Sequence, residues 1–245
     1  IEWRRETRRH SMSGVRATLC RTDRGPLAVR AGEGDAMAID PKKTLDAYRA
    51  KRGEFRLLDV PPMQYLMVDG AGDPNTAPAY TEAVAALFPI AYTLKFASRE
   101  QLGIDTVVMP LEGLWHAPDT ESFTSRRDKS AWLWTLMILI PDHVTSEMFA
   151  TAVDTVEAKL AAKKQSSPSL RTVRIESLDE GLCVQTLHVG SYDDEAPVLD
   201  RLHNEFIPEN GLRMTGLHHE IYLSDVRRVD PSKLRTILRQ PVERV

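Results

Sequence analysis

Cysteine is nearly absent: Cys20 and Cys183 are the only two in 245 residues. They lie far apart in segments of different character, which excludes a disulfide framework and points to a reducing compartment, the cytoplasm. No Cys/His spacing suits a structural zinc site, and the adjacent His218 and His219 would point to opposite faces of a strand, so a metal is not expected. The chain never reaches the roughly 18 uninterrupted apolar residues of a membrane-spanning helix, and its front lacks the apolar run of a secretory signal. Neither charge sign dominates. With 32 basic and 35 acidic residues the net charge is −3, so the electrostatic footprint of a nucleic-acid or anionic-membrane binder is missing.

Several cofactor and nucleophile motifs are also wanting. Gly70-x-Gly72 has no third glycine and no βαβ unit after it, and Asp69, Asp73 and Asn75 stand in the wrong order for a calcium loop. No serine occupies a nucleophile elbow, and Cys183 sits in an apolar strand where a thiol is inert. No cofactor is expected.

What is present is a globular inventory, 42% apolar and 27% charged, long enough for one large domain or two small ones. The charge is unevenly spread. Residues 1–36 hold 8 arginines, no lysine and 5 acids, a net of +3, whereas 37–245 hold 24 basic and 30 acidic residues, a net of −6. The front segment has no sustained periodicity and reads as a disordered Arg-rich extension, with the domain spanning 37–245.

Within that domain one grammar runs twice. Residues 54–141 give an extended stretch from Phe55 to Val68 broken at Pro61 and Pro62, then glycine-rich turn chemistry at Gly70–Asn75. A helix follows with Thr76 as N-cap and Pro78 in its first turn, kinked or interrupted at Pro89. Two extended runs, Thr106–Trp115 and Ala131–Ile140, then form a hairpin. An amphipathic helix over 145–164, with lysines in its last turns, links to residues 170–242. There, strand material from Val173 to Val189 ends at Gly190, Asp194 and Pro197 open a helix that Asn210-Gly211 stops, and two more runs follow, Gly216–Ser224 and Lys233–Arg239, closed by Pro241. Two strand-helix-strand-strand units predict an α+β fold: one antiparallel or mixed sheet, helices on one face, and a cleft between the repeats.

Chemistry gathers in the strands. Trp132 and Trp134 are two apart and share a face, and Trp115 lies in the same hairpin. Each alone would be ordinary core; three together suggest the lining of a pocket for a flat aromatic or a lipophilic cation. In His218-His219-Glu220-Ile221-Tyr222-Leu223, alternation places His218, Glu220 and Tyr222 on one face and His219 on the other. A mid-strand carboxylate is costly to bury, so Glu220 is either solvent-facing and paired or a functional acid or base. The functional reading is the better fit beside two histidines and a tyrosine.

The stretch Leu187-His188-Val189-Gly190-Ser191-Tyr192 resembles the strand-end signature of the GyrI-like small-molecule-binding domain, whose architecture is the same duplicated layout. Pro110-Leu111-Glu112-Gly113-Leu114-Trp115, Trp134–Ile138, His218–Asp225 and Lys233–Val242 resemble the stand-alone members that carry no DNA-binding domain, and the likeness runs from about Asp40 to Val242. It implies an aromatic cavity with an acidic residue at its base, the position that Glu220 matches. Some stand-alone members are cyclopropanoid hydrolases, which open activated cyclopropanes of lipophilic DNA-alkylating natural products with water and so protect the cell. On that likeness Glu220 is the expected catalytic base. Trp115, Trp132, Trp134, Tyr80, Tyr92, Tyr222, His219 and Glu112 are the expected ligand-binding residues. The competing expectations are a non-catalytic protein that sequesters lipophilic aromatic drugs, or a gyrase-interacting module. The Arg-rich front departs from the family pattern, and about 40 residues before the domain would be too few for a helix-turn-helix regulator with its own core.

Overall fold

The computed structural model describes residues 38–116 and 129–245. The extension expected over 1–36, Cys20, and the polar segment with Pro118, Arg126 and Asp128 lie outside the described residues.

Nine strands form one antiparallel sheet: β1 (Arg56–Val60), β2 (Met63–Ala71), β3 (Glu112–His116), β4 (Leu133–Leu139), β5 (Arg174–Leu178), β6 (Gly181–Val189), β7 (Leu212–Met214), β8 (His218–Tyr222) and β9 (Arg235–Arg244). Their order is β1-β6-β9-β8-β3-β4-β2-β5, with β7 pairing off this path to β9. Three longer helical elements complete the α+β fold. Helix α1 is Pro78–Leu102, α2 is Ser146–Ala162, and α3 runs from Ala196–Asp200 through a π-helical turn, Arg201–Phe206, to Ile207–Glu209.

The apolar stretch from Phe55 to Val68 is two strands, not one. Pro61 and Pro62 end β1, which crosses to pair with β6 while β2 pairs with β4 and β5. The same happens between Val173 and Val189, where a turn at Asp179–Glu180 separates β5 from β6. Helix α1 starts at Pro78 after Ala77, without a side-chain cap from Thr76, and passes through Pro89 unbroken. Buried Leu87, Ile90 and Leu94 hold it across the proline, and Thr93 Oγ1 donates to the Pro89 carbonyl at 2.8 Å. Gly103, at φ 69°, ends it in the left-handed conformation that glycine adopts freely. Thr145 caps α2 by accepting from Met148 N. Pro241 does not stop β9, because by that point the strand has passed its pairing with β8 and the Pro241 carbonyl accepts instead from Thr215 N.

Pairing registers sort the side chains into two faces. Gly113, Glu220, Leu238 and Thr186 form one row across β3, β8, β9 and β6; Leu114, His219, Arg239 and Gln185 form the neighbouring row, which projects the opposite way. The first face carries the helices. Tyr80 of α1 meets Trp115 and Trp134, and Leu202 and Ile207 of α3 cluster with Val184 and Val242. Helix α2 packs on α1. The second face is covered partly by the 3-10 turn Asp46–Tyr48. Among the described residues no helix is long and apolar enough to cross a membrane.

Candidate functional site

Glu220 stands on the helical face at the junction of β3 and β8, its side chain 13% exposed. Tyr222, two residues on, donates from Oη to Glu220 Oε2 at 2.8 Å and accepts at 3.0 Å from Trp115 Nε1. This N–H to O–H to carboxylate chain exists because strand alternation puts residues 220 and 222 on one face and pairing sets β3 alongside. Aromatic rings wall it. Tyr80 lies 6.4 Å from Trp115 in a stacked arrangement and 5.5 Å edge-on to Trp134; Trp132 meets Trp115 edge-on at 5.6 Å; Tyr192 meets Tyr222 edge-on at 5.5 Å. Such ring pairs each add about 0.5–1.5 kcal/mol beyond area burial.

Trp134 is the floor and not a wall. It is 1% exposed, its Nε1 donates to the Gly72 carbonyl, and its ring fills the space above Gly70, where an added Cβ would come 2.0 Å from Cη2. Trp132 and Tyr80 are only part-buried and present surface to an incoming molecule. At the rim Lys129 pairs with Asp193 at 3.0 Å and places its ammonium 5.8 Å from the Trp132 ring centre.

Burial, then Glu220, pushes the Tyr222 and Tyr80 hydroxyls well up from the ordinary phenol value, and burial with Glu195 and Glu220 pushes Tyr192 up to about 12. All three therefore keep their protons at neutral pH and can donate hydrogen bonds. The cluster thus sets a carboxylate among aromatic rings and protonated hydroxyls, groups suited to contact a planar ring and to donate to a developing oxyanion.

Three expected ligand-binding residues lie elsewhere. Glu112 and His219 are fully buried on the reverse face, where His219 Nε2 is 3.0 Å from Glu112 and Nδ1 is 2.9 Å from Glu180. Arg239 reaches Glu180 at 2.6 Å and the Ala47 carbonyl at 2.6 Å, and Tyr48 donates to Glu112. This is an internal ion network closed beneath the Asp46–Tyr48 turn, with no path to the aromatic recess through the sheet. The same alternation that brings Glu220 into the recess turns His219 out of it. Tyr92, 49% exposed on α1, has no ring contact with the recess residues. Conversely Tyr192 and Lys129 border the site without having been expected there, and His218, expected only on the face of Glu220, borders it as well. Tyr192 was legible as the last residue of the glycine-terminated strand signature, whereas Lys129 sits in a short turn with no sequence signal. No group of three or more metal-ligating side chains occurs among the described residues. A separate groove of about 480 Å³, lined by Arg52, Phe55, His188 and Arg201 among others, opens beside β6 and α3 but contains no buried carboxylate.

The profile of the GyrI-like small-molecule-binding domain matches residues 53–243. The chain belongs to the GyrI-like family. This GyrI-like protein is similar to an uncharacterized conserved protein from Listeria innocua, with 40% identity and a TM-score of 0.73 over 84% of this chain and all of that one. It is similar also to a hydrolase from Listeria innocua, with 37% identity and a TM-score of 0.71 over the same shares. A further Listeria innocua hydrolase shares 36% identity at a TM-score of 0.72, again over 84% of this chain and all of that one. No curated protein matches the chain.

Proposed function

We propose that this GyrI-like protein binds a planar, lipophilic aromatic small molecule on the helical face and adds water to an activated cyclopropane within it, protecting a cytoplasm from DNA-alkylating compounds. The observation that carries the reading is the Trp115–Tyr222–Glu220 chain inside an aromatic recess. The similarity to two hydrolases supports catalysis over capture, and the resemblance to cyclopropanoid hydrolases supplies the substrate class.

In the proposed reaction Glu220 takes a proton from water as the water oxygen bonds to the ring methylene. The cyclopropane C–C bond breaks, its electron pair moves through the dienone to the carbonyl oxygen, and the resulting phenolate takes a proton from solvent while Glu220 gives up to solvent the one it accepted. Tyr80 and Tyr192, protonated at neutral pH, are the donors available to that oxygen. General-base assistance of this kind contributes on the order of 10²–10⁴-fold. Trp132 stacks the planar body, a contact worth about 0.5–1.5 kcal/mol.

Excess duocarmycin-type compound incubated with the protein, with the water adduct followed by mass, tests the reading. Many adducts formed per protein molecule are expected. Loss of free compound that stops at one equivalent, with the compound recovered intact on denaturation, would establish a sequestering protein instead.

A further inference from the structure

The Glu220 carboxylate is approached from two sides. Tyr222 Oη donates to Oε2, and His218 Nε2 stands 3.5 Å from Oε1. His218 shares the face of Glu220 by alternation, and its side chain is only 5% exposed. Behind it the His203 ring packs edge-on, with centroids 5.7 Å apart and planes at 87°. His203 belongs to the turn Arg201–Phe206, where α3 widens to π-helical geometry. Such widenings are rare and recur at functional sites. Here the widened turn sets one histidine against the histidine that faces the carboxylate. Burial, and then His218, push His203 down to about 4, so it is a neutral brace at neutral pH.

We propose that His218 is a positioning residue for Glu220, fixing the Oε1 side of the carboxylate while Tyr222 fixes Oε2. The inference rests on the reading of Glu220 as the base of the site. The terminal torsion of a glutamate is broad and roughly twofold, so a carboxylate held by one arm swings. With Tyr222 bonded to one oxygen and the His218 ring packed 3.5 Å from the other, it stays where a water or a ligand atom must meet it, and a displacement of about 1 Å at such a position costs about 10²-fold in rate.

Steady-state kinetics on the full chain with the activated cyclopropane compound test this, comparing wild type with His218→Phe, His218→Gln and Glu220→Gln. Phenylalanine keeps the ring volume without the nitrogen, and glutamine restores an N–H near the Nε2 position. His218→Phe is expected to lower kcat by about 10–100-fold with KM changed by less than about threefold, and His218→Gln to recover most of the loss. A merely structural histidine would not give that split or that rescue. If His218→Phe keeps the wild-type kcat while Glu220→Gln is inactive, the role of His218 falls alone. If Glu220→Gln also turns over normally, the base falls and the positioning role with it. A crystal structure of His218→Phe needs no substrate. Displacement of the Glu220 carboxylate on its Oε1 side is expected there, and an unmoved Glu220 would overturn the proposal.

Discussion

Replacing Arg239 with methionine should unfold this protein far more readily than its small change in volume suggests. On the reverse face of the sheet two cations, Arg239 and His219, oppose two carboxylates, Glu112 and Glu180, all within 2% of complete burial. Methionine removes one cation and leaves Glu180 without its 2.6 Å partner, and the Ala47 carbonyl and Gln185 lose donors as well. Breaking a buried pair from one side costs about 3–5 kcal/mol, out of a total of about 5–15 kcal/mol for a domain. With a urea m-value of about 2–3 kcal/mol/M, the midpoint should fall by between about 1 and 2.5 M at unchanged m. The double variant Arg239→Met/Glu180→Gln should recover part of the loss, since it removes the stranded charge as well. A fall below about 1 kcal/mol, or no recovery in the double variant, would refute the reasoning.

The same network sets a pH dependence. Burial pushes His219 down, but Glu180 and the hydrogen bond to Glu112 outweigh it and leave the imidazole raised above its ordinary value. A raised histidine stabilises fully below its unfolded value and loses that stabilisation as pH climbs through the folded one. Burial pushes Glu180 up, yet His219 and Arg239 overcome it and bring the carboxyl down to about 2. That contribution is present above the ordinary carboxylate range and disappears only as pH falls towards about 2. Urea midpoints should therefore hold from mild acid to neutrality and decline on the alkaline side, and His219→Gln should flatten the alkaline decline. An alkaline decline that persists unchanged in His219→Gln would place its origin elsewhere.

Gly70→Ala should cost about 1–3 kcal/mol and alter the near-UV circular dichroism, because the new methyl forces the Trp134 ring away from its edge-on contact with Tyr80. An unchanged spectrum at unchanged stability would contradict the close approach. Cys183 is fully buried and its thiol is pushed up to about 12, by burial first and then by Glu180. Alkylation mapped by mass should spare Cys183 in the native protein and label it only on unfolding; labelling at a rate insensitive to urea would disprove that inertness.

How far the sequence disclosed this molecule follows from what alternation can and cannot encode. Period two correctly put His218, Glu220 and Tyr222 on one face, and the Trp132/Trp134 pair with Trp115 in one hairpin, because side-chain direction is local. Pairing partners are not local. Nothing within Phe55–Val68 says that β1 leaves β2 to join β6 some 125 residues later, as Leu57 opposite Val184 shows. Glu112 and His219 were expected at the site because they lie in the stretches that resemble the GyrI-like family. Their partners Glu180, in a turn, and Arg239, in an apolar strand, become visible only once the sheet closes. Pro89 and Pro241 were read as breaks, and tertiary packing in one place and the end of a strand pairing in the other made both tolerable.

The most direct test of the account is a side-by-side measurement on the Glu220→Gln protein, with affinity for the cyclopropane-bearing compound read by tryptophan fluorescence and water-adduct formation read by mass. An affinity within about threefold of wild type, with a rate reduced by about 10²-fold or more, is the predicted result. Equal rates in the two proteins would contradict it, and would leave the aromatic recess a binding site without a base.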